Sequence, residues 1–343
     1  MAGPLEGQVA LVAGATRAAG RGIAIELAAA GAKVWCTGRS VRGAPATPGR
    51  PETIEETAEL IAAAGGSAVA ARVDHTVEAE VEALAAQIAA EEGRLDILVN
   101  DVWGGDALVG WGTPFWRQSI ADVRTLLDRA VLSHLITARH LAPMMVEANR
   151  GLIVEVTDGE TPGYRGQILY DLVKSSVNRL AYAMAWDLAR TGVTALAVSP
   201  GFLRSEAILE GFGVGEANWL DAVAKNEEFA YSETPRFIGR AIAALAADPN
   251  VAAKAGGAFF AADLADEYGF TDVDGARPHF TRRVAERLSR ELASDQPLGA
   301  WAKRHAAAAY MRAHLVPAEA GTARVYAERL GWTRLGAGLR PTV

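Results

Sequence analysis

The stretch "ILYDLVKSS" contains a tyrosine and a lysine four residues apart, Tyr170 and Lys174. Residues at positions i and i+4 share one face of a helix, so this spacing brings an ammonium group near a phenol. A free phenol titrates near pH ~10, and a neighbouring cation lowers its pKa toward neutrality. The pair is therefore predicted to act as acid and base on an alcohol or a carbonyl group.

A glycine-rich turn near the start of the chain predicts a site for a dinucleotide. In "VALVAGATRAAGRGIAIELAAAG" an apolar strand runs into Gly14 and Gly20 and then into a helical segment. Gly14 permits a tight turn and Gly20 lets the backbone approach a pyrophosphate, while the helix directs free N–H groups at the anion. We expect the turn residues Thr16, Arg17 and Ala19 to line the same site.

The charge at the end of the second strand indicates which nicotinamide cofactor fits. An NAD site places a carboxylate there for the ribose 2′-hydroxyl, whereas this chain has Thr37, Gly38 and Arg39. Arg39 and Arg17 together could hold a 2′-phosphate, although two solvated surface arginines are the alternative. The sequence thus predicts NADP(H) in preference to NAD(H).

A tryptophan-rich loop, "DVWGGDALVGWGTPFWRQ", follows the fourth apolar run. Loops at the carboxyl ends of parallel strands line the ligand crevice. Trp103, Trp111 and Phe115 are therefore predicted to form an apolar wall for a small-molecule substrate. The alternative is a loop that only packs on the body.

Seven short apolar runs between residue 9 and about residue 263 alternate with longer segments of helical period. Continuous apolar strands joined by helices are typical of a parallel sheet covered on both faces. The predicted fold is therefore α/β, a Rossmann-type doubly wound parallel sheet of about seven strands. It is predicted to fill residues 1–278.

Residues 279–343 differ in character from the rest of the chain. They are rich in charged residues, show no strand pattern, and include the amphipathic stretch "RRVAERLSREL". We predict a C-terminal helical extension that covers the body or a partner subunit. A substrate lid is the alternative.

The composition excludes several classes of function. With 34 basic and 41 acidic residues and a formal net charge of −7, the chain is not expected to bind nucleic acid or an anionic membrane. No apolar run approaches the ~18–20 residues of a membrane span, and the first residues do not form a signal peptide, so a cytoplasmic protein is expected. The single cysteine, Cys36, excludes an intramolecular disulfide. The histidines lack ligand spacing, so no metal site is predicted.

These motifs resemble those of the short-chain dehydrogenase/reductase family, and especially the branch of dehydrogenase/reductase member 1. The resemblance covers residues 5 to about 278 and rests on "GATRAAGRGIA", "GRLDILVND", "YDLVK", "SPGFLRS" and "DLADEYGFTDVDG". It implies an NAD(P)-dependent oxidoreductase that forms a homodimer or homotetramer. It also implies that Tyr170 is the catalytic acid and Lys174 its partner. The further cofactor-binding residues that it implies are Asp74, His75, Asn100, Pro200, Gly201, Phe202 and Ser205.

The chain departs from the family pattern at several positions. The family serine that binds the substrate oxygen falls at Thr157 or Asp158, and the relay asparagine aligns with Asp128. Thr157 is the favoured polarising hydroxyl, because a carboxylate opposes developing negative charge unless it is protonated. Asp158 then acts on the substrate or caps a turn. One glycine of the phosphate turn is replaced by Ala18.

The predicted function is an NADP(H)-dependent oxidoreductase that transfers hydride between the nicotinamide and a carbonyl or alcohol. Aromatic and acidic residues near the predicted site suggest an aromatic or cationic substrate. Two alternatives stay open. One is an NADP(H)-binding sensor or subunit with little redox activity, which the altered serine and asparagine positions favour. The other is a non-redox member of the family, such as a dehydratase or epimerase.

Overall fold

The computed structural model describes residues 3–159, 165–299, 301–303, 305–306, 333–335 and 338–340. Seven strands form one parallel sheet in the order β3-β2-β1-β4-β5-β6-β7. Their bounds are β1 Val9–Ala13, β2 Lys33–Gly38, β3 Ser67–Arg72, β4 Ile97–Asn100, β5 Gly151–Val156, β6 Val193–Ser199 and β7 Ala258–Phe260. The predicted Rossmann-type sheet is confirmed.

Ten α-helices lie wholly within the described residues, and residues 301–303 and 305–306 are also helical. They are α1 Ala18–Ala29, α2 Ile54–Ala63, α3 Glu78–Glu92, α4 Ile120–Leu127, α5 Ser133–Glu147, α6 Ile168–Asp187, α7 Glu206–Phe212, α8 Pro235–Ala247, α9 Ala261–Tyr268 and α10 Phe280–Ala293. Short 3₁₀ segments cover Phe115–Arg117, Glu216–Ala224, Glu227–Tyr231 and Val251–Lys254, and a π-helical segment, Asp128–Leu132, joins α4 to α5. None of the described helices combines the length and apolar character needed to cross a bilayer.

Both faces of the sheet are buried, which explains why its strands are continuous apolar runs. All five residues of β1 are buried, and successive side chains point to opposite faces. Val12 packs with apolar residues of α1, α8 and α9, whereas Leu11 packs with those of α3 and α5. Because β1 lies between β2 and β4, the chain changes direction across the sheet at β1 and β4. A crevice is expected at the carboxyl ends of these two strands.

The C-terminal region is only partly as predicted. The predicted amphipathic helix is confirmed as α10. This helix packs on Glu227–Tyr231, and its Arg287 forms an ion pair with Glu227. Two short antiparallel strands, β8 Thr333–Leu335 and β9 Gly338–Arg340, show that the expectation of a region without strands is wrong. Strands of three residues are too short for their alternation to be recognised in the sequence. The division at residue 278 stays a prediction.

Candidate active site

A cavity of about 490 Å³ opens at the carboxyl ends of the central strands. It brings together most of the residues that the sequence singles out. These are Gly14, Thr16, Arg17, Ala19, Arg39, Asp74, His75, Trp103, Trp111, Thr157, Asp158, Tyr170, Lys174, Pro200, Gly201, Phe202 and Ser205. Asp106 and Glu206, which are absent from the predicted set, line the same cavity, and so does Asp101.

Helix α6 positions the tyrosine and the lysine. The Gln167 side chain caps the helix by accepting from the main-chain N–H groups of Leu169 and Tyr170, at 2.5 and 3.0 Å. The Lys174 ammonium nitrogen lies 4.8 Å from the centre of the Trp103 ring and 5.8 Å from that of the Tyr170 ring. The predicted sharing of one helix face thus holds in the structure.

Asp158, rather than Thr157, contacts the phenol. The Tyr170 hydroxyl donates a hydrogen bond to Asp158 Oδ2 at 2.8 Å. Thr157 is buried, and its hydroxyl donates to the Lys174 main-chain oxygen at 2.8 Å. The geometry therefore contradicts the preference for Thr157 as the polarising hydroxyl, since its only proton is used inside the protein.

The acid–base properties of the pair also differ from the expectation. Burial, and then the neighbouring Asp158 carboxylate, raise the pKa of Tyr170 well above its ordinary value. Burial lowers the pKa of Lys174, and the charges of Asp101 and Asp158 oppose this change. The expected lowering of the phenol pKa by Lys174 is therefore not found. Tyr170 keeps its proton at neutral pH, as a general acid does.

Aromatic rings surround the phenol. The Trp103 and Tyr170 rings meet edge to face with centres 5.5 Å apart, and the Trp111 ring lies 5.3 Å from that of Tyr170. The Trp103 indole N–H donates to Asp106 Oδ1 at 2.6 Å. Phe115 is different, because it is 64% exposed and contacts Trp116 outside the cavity lining. Its predicted role in the substrate wall is not supported.

Asp128 does not join the catalytic groups. It is exposed on the π-helical segment and lies outside the cavity lining. The prediction of a relay through Asp128 is therefore contradicted. Asp101 is the carboxyl group that influences Lys174 most, and burial raises its pKa to about 7.

Two further predicted residues lie behind the cavity instead of lining it. An added Cβ on Gly20 would lie 2.2 Å from the Gly14 oxygen, so glycine is required there for packing rather than for approach to a ligand. Asn100 is fully buried and donates to Glu155 Oε1 at 2.7 Å. Glu155 also contacts His134 Nδ1 at 2.6 Å, and His134 Nε2 donates to the Val102 oxygen at 2.9 Å.

The buried His134–Glu155 pair supports the end of β4, where the active-site residues of the following loop begin. In the sequence, the only indication of this buried pair is Glu155, a charged residue inside the apolar run "GLIVEV". His134 itself gave none, because the helical pattern predicts a surface or packing residue.

The turn after β1 has the geometry of an anion site. Gly14 has φ +96°, and an added Cβ would lie 2.4 Å from the Asp101 main-chain oxygen, so only glycine fits. Ala18 has φ +47°, a conformation that favours the glycine usual in the family. Its N–H donates to both carboxylate oxygens of Glu206, at 3.2 and 3.1 Å. A carboxylate at the start of α1 shows that this position accepts an anion.

The same cavity also holds the two predicted arginines. Arg17 donates to the Thr47 hydroxyl at 3.1 Å, and Arg39 lies 3.7 Å from the Asp74 carboxylate. Burial lowers the pKa of His75 to about 3, so this ring is neutral. Ser205 caps α7 by accepting from the Ile208 N–H at 3.3 Å. No group of three potential metal ligands occurs in the described ranges.

This fold and site define a class of protein. The chain belongs to the short chain dehydrogenase family, whose model matches residues 8–210. It is 34% identical over 280 residues to human dehydrogenase/reductase SDR family member 1, which covers 80% of this chain and 86% of that protein. It is also 29% identical over 205 residues to the 7alpha-hydroxysteroid dehydrogenase of Escherichia coli (strain K12), covering 60% of this chain and 74% of that protein.

Solved structures agree with this assignment. A hydroxysteroid dehydrogenase from Escherichia coli matches with a TM-score of 0.60 and 25% identity, covering 75% of this chain and 95% of that one. A metagenomic short-chain oxidoreductase in complex with NADP matches with a TM-score of 0.55 and 25% identity, covering 72% and 94%. The members of this family are oxidoreductases that bind a nicotinamide cofactor.

Proposed function

We propose that the protein reduces a carbonyl-type substrate with NADPH, using Tyr170 as the general acid and Lys174 as its partner. The observation that carries the proposal is the meeting of these two side chains with an anion-binding turn in one cavity. When bound, the nicotinamide supplies the hydride. The raised pKa of Tyr170 favours reduction, because the phenol stays protonated and can donate to a developing alkoxide.

The residues of the cavity fit the cofactor. The Ala18 N–H and the start of α1 would hold the pyrophosphate, where Glu206 already places a carboxylate. Arg17 and Arg39 support the preference for NADP(H) over NAD(H), since both line the cavity beside β2. Replacing Arg39 with Ala should weaken binding of NADPH about tenfold and that of NADH little, in fluorescence titrations.

The experiment that tests the proposal follows NADPH absorbance with a panel of aromatic and aliphatic ketones. Wild type should turn over at least one class, and Tyr170→Phe should lower kcat about 100-fold or more without changing NADPH affinity. Tight NADPH binding with no turnover would instead favour the second candidate, a cofactor-binding sensor. The observation that favours the sensor is the contact between Asp158 and the Tyr170 hydroxyl. The Asp158 carboxylate accepts a hydrogen bond at a position where the serine of the family donates one.

Exposed apolar side chains support a homo-oligomer. Leu135 on α5 and Leu172 on α6 are each 45% exposed, and Trp186 on α6 is 67% exposed. Such groups on neighbouring helices suit a second copy of the chain, as a homodimer or homotetramer. Analytical ultracentrifugation should show a dimer or tetramer, and Trp186→Glu together with Leu172→Glu should give monomers.

A further inference from the structure

The contacts of the phenol define what the site offers to a substrate. Reduction of a neutral ketone needs a hydrogen-bond donor at the developing oxyanion and a proton to complete the alcohol. Tyr170 has one proton, and it is directed to Asp158 Oδ2 at 2.8 Å. The Thr157 hydroxyl is used on the Lys174 main-chain oxygen. The two hydroxyl donors at the substrate end, those of Tyr170 and Thr157, are therefore both engaged with other groups of the protein.

The same region offers negative charge and aromatic faces. Asp158 and Asp106 both line the cavity, and Asp106 accepts from the Trp103 indole at 2.6 Å. The rings of Trp103 and Trp111 lie 5.5 and 5.3 Å from that of Tyr170. Carboxylates combined with aromatic rings are the groups that recognise an organic cation.

Lys174 and Arg129 also line the cavity, and the Arg165 Nε donates to the Asp158 main-chain oxygen. Burial lowers the pKa of Lys174, and its ammonium group faces the Trp103 ring. The Arg165 guanidinium is bound by Asp171, whose Oδ1 lies 3.0 Å from Nη1. The Asp158 carboxylate therefore has one hydrogen-bond donor, the phenol, among the described contacts and keeps acceptor capacity for a ligand.

We propose that the reducible group of the substrate is a positively charged C=N bond, an iminium, next to an apolar ring system. This inference rests on the NADPH-dependent hydride transfer of the proposed function, and it restricts the role of Tyr170 as general acid to neutral carbonyl substrates. The reduced nicotinamide cofactor delivers a hydride with its electron pair to the iminium carbon, forming a C–H bond. The π electron pair of the C=N bond moves to nitrogen and gives a neutral amine, so this step consumes no proton. Asp158 stabilises the cation, and Trp103 and Trp111 hold the ring.

The test compares two substrates of nearly equal shape, N-methyl-3,4-dihydroisoquinolinium and the neutral ketone 1-tetralone. NADPH consumption should give wild type a kcat/KM at least about tenfold higher for the cation. Asp158→Ser should reverse this preference, because it removes the charge and supplies a donor. Tyr170→Phe should lower reduction of the ketone at least about tenfold more than that of the cation, since only the ketone needs a proton.

Controls separate this inference from the proposed function. Asp187→Asn removes an exposed charge at the far end of α6 and should leave both substrates unaffected. If wild type reduces 1-tetralone as well as or better than the cation, or if Asp158→Ser lowers both equally, the iminium inference is wrong while the proposed function stands. If NADPH binds but neither compound nor any ketone of the panel reacts, the proposed function itself fails. Should the variants not fold, the wild-type comparison still decides.

Discussion

Replacing Glu206 with Gln should strengthen cofactor binding. The Glu206 carboxylate accepts from the Ala18 N–H at 3.2 and 3.1 Å, at the start of α1 where a pyrophosphate would bind. Cofactor and carboxylate cannot both occupy this position, so binding must first break the contact and then place two anions near each other. Glutamine keeps the size of the side chain and removes the charge.

The size of the effect follows from the contact that is lost. A hydrogen bond to a charged group contributes about 1.5–3 kcal/mol and a neutral one about 1 kcal/mol. The difference of about 0.5–2 kcal/mol corresponds to a dissociation constant roughly two- to thirtyfold lower in the variant. Repulsion between Glu206 and the phosphates adds to this gain, and that part should decrease at high salt.

Fluorescence titration with NADPH, at low and high salt, measures the effect. Glu210→Gln is the matched control, because Glu210 lies one turn along α7 and pairs with Arg50 at 2.8 Å without touching Ala18. The control should change affinity by less than about twofold, as an exposed ion pair contributes little. Equal or weaker binding by Glu206→Gln would refute the reasoning.

Three further predictions concern stability, each measured by urea unfolding. Glu233 is fully buried against Gly201, and burial raises the pKa of its carboxyl from 4.5 to about 8. The native state therefore keeps a proton that the unfolded chain releases, and stability falls as pH rises through this window. Glu233→Gln should remove that fall. Relative to wild type, the variant should therefore gain on the order of 3 kcal/mol in the free energy of unfolding between pH 4.5 and pH 7. Parallel pH profiles of stability for the two proteins would contradict this prediction. Gly20→Ala should lower the free energy of unfolding by more than about 2 kcal/mol, since the new Cβ would lie 2.2 Å from the Gly14 main-chain oxygen. The control is Gly211→Ala, which has open space around it and should leave the stability unchanged or raise it. Ala18→Gly should stabilise by up to about 1 kcal/mol because φ is +47°, and a loss of stability would show that this conformation carries no strain.

The elements of the fold were predictable because each depends on near neighbours in the chain. All seven apolar runs are strands of the sheet, and Gly14 begins the turn that its position after β1 requires. Tyr170 and Lys174 share a helix face for the same reason, since i and i+4 spacing is a property of any helix. The strands β8 and β9 escaped prediction because three residues are too few to show a period.

The roles of individual side chains were less predictable, because they depend on contacts between distant segments. Thr157 and Asp158 are adjacent, yet only the packing of α6 on β5 decides which of them contacts the phenol. Asp128 begins the π-helical segment and is exposed to solvent, which the helical spacing of the sequence does not reveal. Burial, which no local pattern measures, reverses the expected direction of the Tyr170 pKa.

The sequence by itself determined the architecture, the glycine turn after β1 and the placement of Tyr170 and Lys174 on one helix face. Local periodicity and glycine geometry are sufficient for these features. Tertiary structure alone decided the electrostatics of the site. Glu206 meets Ala18 across 188 residues of chain, and Asn100 meets Glu155 across 55. The charge that a substrate or cofactor encounters is the sum of such contacts and of burial, and both exist only once the chain is folded.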